Sequence, residues 1–292
     1  KNFPADFIAE YISQTRGWFY TLHVLSSILF KKPAFLHAVT TGVILAENGE
    51  KMSKSRKNFP DPWGLFKKYG VDAMRYYFMS SPIMLADNIN FSEKDVDEVY
   101  KKYSLIACNV LNFFKLYSYR LKGAARSRGS SIHVLDRWIL SRLHSTIQKV
   151  TTAFDSYKIT EATRPLFDFL QDLSLWYVRR SRARVKSEDR DAVLALATLQ
   201  SVLFDFSRLI APITPFLAEI IYKDLGISRK LSVHLEDWPL VKKSFIDKNL
   251  EDKMLEVREV VSNALRLRAE AGIKVRQPLA SLQIRNPKSL RK

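Results

Sequence analysis

Apolar residues recur along this chain with two different spacings, and the change between them is the first sign of how it is organised. Phe7, Ile8, Tyr11 and Ile12 make a short aromatic and β-branched run that reads as the end of a strand. Over residues 15–29, Trp18, Phe19, Leu22, Leu25 and Ile28 fall at helical spacing, and Pro33 closes the stretch. A second apolar run, 38–46, is rich in Val, Ile and Leu, and its 39–46 portion reads as a buried strand. Asn48-Gly49 follows at once, the pair that best tolerates the positive φ of a tight hairpin turn. Strand, helix, strand is a βαβ unit, which predicts a parallel sheet with ligand groups at the carboxyl ends of its strands. Glu10, Ser13 and Gln14 sit at such an end.

Beyond the hairpin the spacing becomes helical and stays so. Pro60, Pro62 and Gly64 punctuate the chain. Leu65, Phe66 and Tyr69 begin a short helix stopped by Gly70. Asp72 is the expected N-cap of the next, which runs to about Ser80 with Ala73, Tyr76 and Tyr77 inward before Pro82. Ser92, with Asp95 in the first turn, opens a long helix to about Leu121 that buries Val96, Val99, Tyr103, Ile106, Val110, Phe113, Phe114 and Tyr117. Residues 122–131 are small, polar and basic, with no apolar period, and read as a connecting loop. Four amphipathic helices follow. Asp136 is the expected cap of the first, which buries Ile139, Leu143, Ile147, Val150 and Phe154. Thr160, Thr163 and Pro165 open the second, with Leu166, Phe169, Leu170, Leu173, Trp176 and Tyr177 inward. Asp189 opens the third, with Val193, Leu196, Leu199, Leu203 and Phe206 inward, and Pro212 and Pro215 break it. The fourth, 216–225, stops at Gly226. Short connections imply an antiparallel bundle. Residues 232–239 read as an extended crossover, 250–271 as a last helix burying Met254, Val257, Val261, Ala264 and Leu267, and 273–278 as a strand or turn. No internal repeat is present. The fold class expected is α/β followed by all-α, with one unit over 1–121 and a helical unit over 132–292.

Composition narrows the partner. The 292 residues are 47% hydrophobic and 12% aromatic, which is globular, and they carry a formal net charge of +17. Such an excess of cations points to a polyanion. The run most favourable to membrane insertion falls short of the roughly 20 unbroken apolar residues a spanning helix needs, and arginine interleaved with aromatics favours RNA over lipid. Cys108 stands alone, so an internal disulfide and a cysteine zinc site are excluded, and a reducing compartment is expected. The five histidines lack ligand spacing and read as structural, so no protein-bound metal is expected. No secretory signal opens the chain, and since it begins with Lys1 its start is not expected to be the native one.

Two stretches carry chemistry. Lys51-Met52-Ser53-Lys54-Ser55 places two lysines and two serines on one exposed loop after the hairpin. Two ammonium groups there can neutralise phosphate charge developing on a leaving group, and hydroxyl and backbone donors can bind the same oxygens. Arg179, Arg180, Arg182, Arg184 and Lys186 put five cations in eight residues directly after Trp176 and Tyr177. One or two would complement a helix terminus. Five go beyond that and suit phosphates, with an aromatic beside them to stack an unpaired base. Arg266, Arg268, Lys274 and Arg276 form a second basic set.

KMSKS is the second ATP-binding signature of the class I aminoacyl-tRNA synthetases, and the chain resembles that family along nearly its whole length. "GEKMSKSRKNFPDP" and "FIAEYISQTRGWFYTLHVL" are similar to isoleucyl members in particular; "LDRWILSRLHSTI", "DLSLWYVRRSR" and "RAEAGIKVRQPL" look like their anticodon-binding helical domain. The resemblance implies part of a Rossmann-like catalytic domain followed by a helical-bundle anticodon domain. It implies ATP, with Mg2+, bound by Lys51, Met52, Ser53, Lys54 and Ser55, Lys54 being the principal contact and Lys51 its helper. It implies that Glu10 and Gln14 hold the aminoacyl-adenylate. Many members carry Gly-x-Asp before that glutamine where this chain has Tyr11-Ile12-Ser13, so Ser13 departs from the pattern. It implies isoleucine and tRNA-Ile as partners, with tRNA contacts from Trp176, Arg179, Arg180, Arg182 and Arg184 and from Arg266, Arg268, Lys274 and Arg276. A cytoplasmic, monomeric full enzyme without membrane contact is expected. The first signature, of His-x-Gly-His type, and the editing domain are absent from these residues and are expected upstream. A valyl or leucyl sister enzyme and a non-catalytic tRNA-binding remnant remain as alternatives.

Overall fold

The computed structural model describes residues 3–53, 55–121 and 133–284. The predicted βαβ unit is present. Strand β1 (Ala5–Tyr11) pairs in parallel with β2 (Phe35–Thr41), from Ala5 opposite Phe35 to Tyr11 opposite Thr41, and α1 (Trp18–Phe30) is the crossover. The helix starts later than its apolar spacing implies, because Ile12–Arg16 is a 3-10 turn. Gln14 Oε1 accepts the Trp18 N–H at 2.9 Å and so supplies the cap that no Ser, Thr, Asp or Asn provides.

The strand expected over 39–46 is two strands. β2 ends at Thr41, and β3 (Ile44–Leu45) belongs to a different parallel pair, with β4 (Ile89–Asn90). Gly42 is the reason. Its N–H donates to the Ile83 carbonyl at 2.8 Å, and a Cβ there would stand 1.9 Å from the Asp87 carbonyl oxygen. Val43 N–H then donates to Asn88 Oδ1. The hairpin forms as expected, with Gly49 at φ 81°, its N–H on the Ala46 carbonyl, and a bridge between Leu45 and Lys51.

Next come α2 (Pro62–Tyr69) and α3 (Val71–Ser80), separated by Gly70 at φ 79°. Asp61 caps α2 by accepting from Trp63 N–H and Gly64 N–H. Asp72 does not cap α3 as expected. It is buried, and its carboxylate accepts the Leu217 N–H at 2.6 Å, 145 residues on. Ser92 does cap α4 (Glu93–Val99), through the Asp95 N–H. A π-helical turn, Tyr100–Ser104, joins it to α5 (Leu105–Tyr117), which completes the predicted long helix.

The second part is a helical bundle of α6 (Val134–Asp155), α7 (Ile159–Gln171), α9 (Arg190–Ile210) and α10 (Pro215–Leu225), with the short α8 (Arg179–Lys186) leading into α9. The cap of α6 is His133, not Asp136, which lies fully buried inside the first turn. Thr160 is likewise not a cap; its hydroxyl donates to the Ser81 carbonyl. The predicted inward faces hold: Ile139, Leu143, Leu166, Phe169, Leu196 and Phe206 are completely buried. By length and composition α9 is apolar enough to cross a membrane, with a mean hydropathy of 1.5 over its most apolar window. Here it is the bundle's central helix.

The last helix, α11 (Lys248–Glu270), departs from expectation. Glu251 is its one buried residue, and Leu267 is 56% exposed, since the helix docks at its start, through polar contacts and through Leu250 and the expected Met254 against the main core, and then runs clear of α6. Residues 273–278 form turns and no strand. A continuous core runs from Tyr76 and Tyr103 through the bundle to Val233, while Leu65, Tyr69, Met74, Tyr77, Phe91 and Val96 form a smaller one under α2 and α3.

Candidate ATP and RNA sites

The signature loop begins at Lys51, which is exposed and bridges Leu45 of β3 across the hairpin. Met52 packs against Ile44, Leu65 and Phe91 of the smaller core, beside an apolar cavity of about 370 Å³. Its side chain, half-buried there, anchors the loop. Asn58, which the sequence reading did not single out, ties the loop across its base: its Oδ1 accepts the Ser53 N–H at 2.9 Å and its Nδ2 donates to the Lys51 carbonyl at 3.2 Å. The Ser53 and Ser55 hydroxyls lie 3.2 Å apart, and Ser53 Oγ also accepts the Arg56 N–H. Arg56 pairs with Glu50 at 3.3 Å. Lys54 lies outside the described residues.

Glu10, at the carboxyl end of β1, is exposed, and its carboxylate accepts the Tyr11 N–H at 2.9 Å. Ser13 is exposed on the 3-10 turn. Gln14 spends its carbonyl oxygen on Trp18 and keeps its NH2 group for another acceptor. Among the described residues, no hydrogen bond or ion pair joins these three to the 51–58 loop. Glu10, Ser13 and Gln14 lie at the carboxyl end of the β1–β2 pair, where Tyr11 is opposite Thr41.

The basic set on α8 divides by burial. Arg179, Arg180, Arg182 and Lys186 are exposed, and none of them forms an ion pair among the described residues. Arg184 does not belong with them. Its guanidinium makes a two-pronged contact with Asp136, at 2.8 and 2.5 Å, and meets Asp191 at 2.5 Å. Its side chain is 9% exposed. It is spent on joining α6, α8 and α9, which corrects its assignment to tRNA contact. Asp136 also accepts from the Tyr177 hydroxyl at 2.7 Å, and burial together with that carboxylate holds the phenol protonated well above its usual range. Trp176 is half-buried. Its Nε1–H reaches Met254 Sδ at 3.1 Å, and the Arg180 and Arg258 guanidiniums lie over its ring at 4.8 and 5.8 Å. It braces α11 and is no open stacking platform. Arg120, also missed in the sequence, caps α8 by donating to the Val185 carbonyl at 2.9 Å.

In the second basic set, Arg266 pairs with Glu270 at 2.6 Å, and Arg268 donates to the carbonyls of Lys274, Val275 and Gln277. Arg268 thus holds the turn that presents Lys274 and Arg276, both exposed, and is not itself free for phosphate. Below, a polar cluster docks α11 onto α6. Arg142 meets Asp172 at 2.9 Å, and Glu251 accepts from Ser141 and Ser145 at 2.6 Å each. Burial opposes ionisation of Glu251, yet those hydroxyls and the Lys248 ammonium outweigh it and hold the carboxyl below the usual range.

An exposed loop carrying the KMSKS sequence after a hairpin is followed, in one chain, by a helical bundle with exposed arginines. The chain belongs to the class I tRNA synthetases: residues 1–91 match the family of tRNA synthetases class I (I, L, M and V), and residues 136–284 match the anticodon-binding domain of tRNA ligase. Within that family it is 44% identical over 294 residues to the isoleucine–tRNA ligase of Chlamydia caviae and 42% identical over 293 residues to that of Chlamydia abortus; each match covers 98% of this chain and 28% of the relative. The chain thus spans little more than a quarter of the length of these relatives. Its fold is similar to that of the Agrobacterium radiobacter K84 agnB2 LeuRS in a ternary complex with tRNA and LeuAMS, with a TM-score of 0.65 and 20% identity over 84% of this chain and 29% of that one.

Proposed function

We propose that this chain is the signature-loop and anticodon-binding portion of an isoleucine–tRNA ligase. The full enzyme joins isoleucine to ATP, releasing pyrophosphate and forming isoleucyl-adenylate, and then moves the isoleucyl group to the terminal ribose of tRNA-Ile. The observation that carries this reading is the intact KMSKS sequence on a loop tied at its base by Asn58, in one chain with the exposed arginines of α8. Lys51 and Lys54 neutralise the charge that develops on the departing pyrophosphate, which enters as ATP with Mg2+. Main-chain N–H groups and the Ser53 and Ser55 hydroxyls assist them. The exposed carboxylate of Glu10 and the remaining amide N–H donors of Gln14 suit the adenylate's ribose hydroxyls and α-ammonium group. Arg179, Arg180, Arg182, Lys274 and Arg276 bind tRNA phosphates near the anticodon. Residues 1–121 and 132–292 act as the two functional units of a cytoplasmic monomer.

In the full-length protein, Lys51→Ala and Lys54→Ala should each lower isoleucine-dependent pyrophosphate exchange by about 10²–10³-fold, the size expected for one transition-state donor. Exchange at the native rate in both variants would remove the signature loop from the chemistry. The isolated chain, which lacks the first signature, should show no exchange. Charging of tRNA-Ile in preference to a valine or leucine tRNA settles the amino acid.

A further inference from the structure

Gly17 stands between Arg16, the last residue of the 3-10 turn, and Trp18, the first of α1. Two hydrogen bonds fold the chain around it. Its own N–H donates to the Gln14 main-chain carbonyl at 3.1 Å, and the next N–H, that of Trp18, donates to Gln14 Oε1 at 2.9 Å. Its carbonyl accepts the N–H and the hydroxyl of Thr21 at 3.0 Å each. The half-buried Gln14 side chain is thus folded back over Gly17. A Cβ on Gly17 would stand 2.7 Å from Gln14 Oε1, and its three nearest neighbours would all be Gln14 atoms. The approach at Gly42 is of another kind, because there the obstacle is the Asp87 main chain and cannot give way. At Gly17 the obstacle is the tip of a flexible side chain, so a methyl group would displace the carboxamide before it displaced the turn.

The bond to Trp18 also fixes which way round the carboxamide lies. An amide N–H only donates, so the oxygen faces Trp18 and the nitrogen faces away. Gln14 then offers two hydrogens to a ligand and no lone pair. Such a group selects an oxygen and cannot serve an ammonium. The nearby Glu10 carboxylate has the opposite character and accepts only. The two side chains therefore divide the adenylate between them, with a ribose or acyl oxygen at Gln14 and the ammonium group left to Glu10.

We infer that Gly17 is a positioning residue for adenylate binding: its bare Cα leaves the space in which the Gln14 carboxamide folds back, and that fold-back aims the amide hydrogens at an oxygen of the ligand. A side chain at this position would take the space, release the amide and cost the ligand its donor without touching the ligand itself. The ligand's identity rests on the tRNA-ligase reading, and the geometry of residues 14–18 carries the rest.

The test uses the full-length protein with Gly17→Ala, Gln14→Glu, Gln14→Ala and the double variant of Gly17→Ala with Gln14→Ala. Binding of the sulfamate analogue of isoleucyl-adenylate is followed by calorimetry, and the Trp18 amide by hydrogen exchange. G17A should weaken the analogue about tenfold, the size of one lost hydrogen bond. It should also speed exchange at Trp18 about fivefold, the size of a lost cap. Q14E keeps an oxygen for Trp18 and has no amide hydrogen to give, so the analogue should weaken about tenfold or more while Trp18 stays protected. Q14A should lose both. In the Q14A background G17A should have no further effect on the analogue, because the carboxamide it would displace is gone. Wild-type affinity in G17A would overturn the inference. So would a further loss in the double variant, which would mean that the methyl group acts through the backbone of the turn. If Q14E and Q14A both keep wild-type affinity, the adenylate reading of Gln14 fails instead. The hold of Gly17 on the carboxamide is then decided by Trp18 exchange, and an unchanged rate in G17A rejects it.

Discussion

The helical bundle and the β1–α1–β2 layer are built from similarly apolar sequence, yet they finish differently. In the bundle, Leu166, Phe169, Leu196 and Phe206 each lose all contact with solvent. In the layer, Ile8, Phe19 and Ser26 are the only buried residues of the three elements, while Phe7, Tyr20, Leu29 and Leu36 remain more than half exposed. Two strands and one helix cannot enclose a core, and among the described residues little besides Tyr157, against Phe7 and His37, packs on their outer apolar faces. Periodicity reports which face of an element is apolar. It does not report whether a partner for that face lies within the same stretch of sequence.

The contrast can be broken most directly by truncation. Phe169→Ala should destabilise the chain by about 3–5 kcal/mol, whereas Phe7→Ala should change stability by about 0.5 kcal/mol or less, both read from urea unfolding. Equal losses would mean that the layer is packed as well as the bundle. Next in size is the buried ion cluster. Asp136→Ala leaves Arg184 and the Tyr177 hydroxyl without their main acceptor and should cost about 3–5 kcal/mol. An undiminished unfolding midpoint would show that Asp191 alone suffices for Arg184.

The third comparison separates cations by role. Arg179→Ala should leave unfolding unchanged, weaken RNA binding uniformly across sequences and reduce the slope of log affinity against log salt by about 1. Arg184→Ala should do the reverse, losing stability before it loses a phosphate contact. A salt slope that falls equally in both variants would return Arg184 to the RNA surface. The smallest effect is a pH response. His144 is buried, accepts the Lys242 N–H, and stacks on Phe245 at 5.2 Å; burial, aided by Lys242 and opposed by Asp205, lowers its pKa. The unfolded histidine takes up its proton near pH 6.5, so below that pH the unfolded state binds more protons and the folded state loses ground. Stability should therefore fall as pH drops below about 6.5, with a slope of at most about 1.4 kcal/mol per pH unit from this group, and the slope should vanish in His144→Gln.

Much of this was legible in the sequence. Gly70, Gly226, Ser92 and the Asn48-Gly49 turn act where they were expected, because each answers to its immediate neighbours in the chain. The helix faces of the bundle were legible for the same reason. What could not be read were polar residues serving distant partners. Asp72 and Asp136 have the spacing of local caps but serve Leu217 and Arg184. In the string Arg179-Arg180-Ser181-Arg182-Ala183-Arg184, nothing local distinguishes the last arginine. Only the helical phase that turns it towards α6 does so. Leu267 fails in the opposite sense: its spacing is right, but α11 has left the bundle by then. Lys51 and the family motif identified the loop, while Asn58, which shapes it, carries no motif signal.

Gly42 has one further consequence. A parallel pair with few buried side chains has little to stop its strands from slipping by a residue, since little would be turned outward by the error. β1 and β2 are such a pair, with Ile8 their one buried residue. The crossing at Gly42, too close to Asp87 for a single methyl group, pins the end of β2 to the chain that supplies β4. Alignment in the exposed sheet is thus inherited from a contact made outside it. A larger residue at this point should cost little in buried surface and much in fidelity, leaving strands that still pair but no longer agree on which residues face each other.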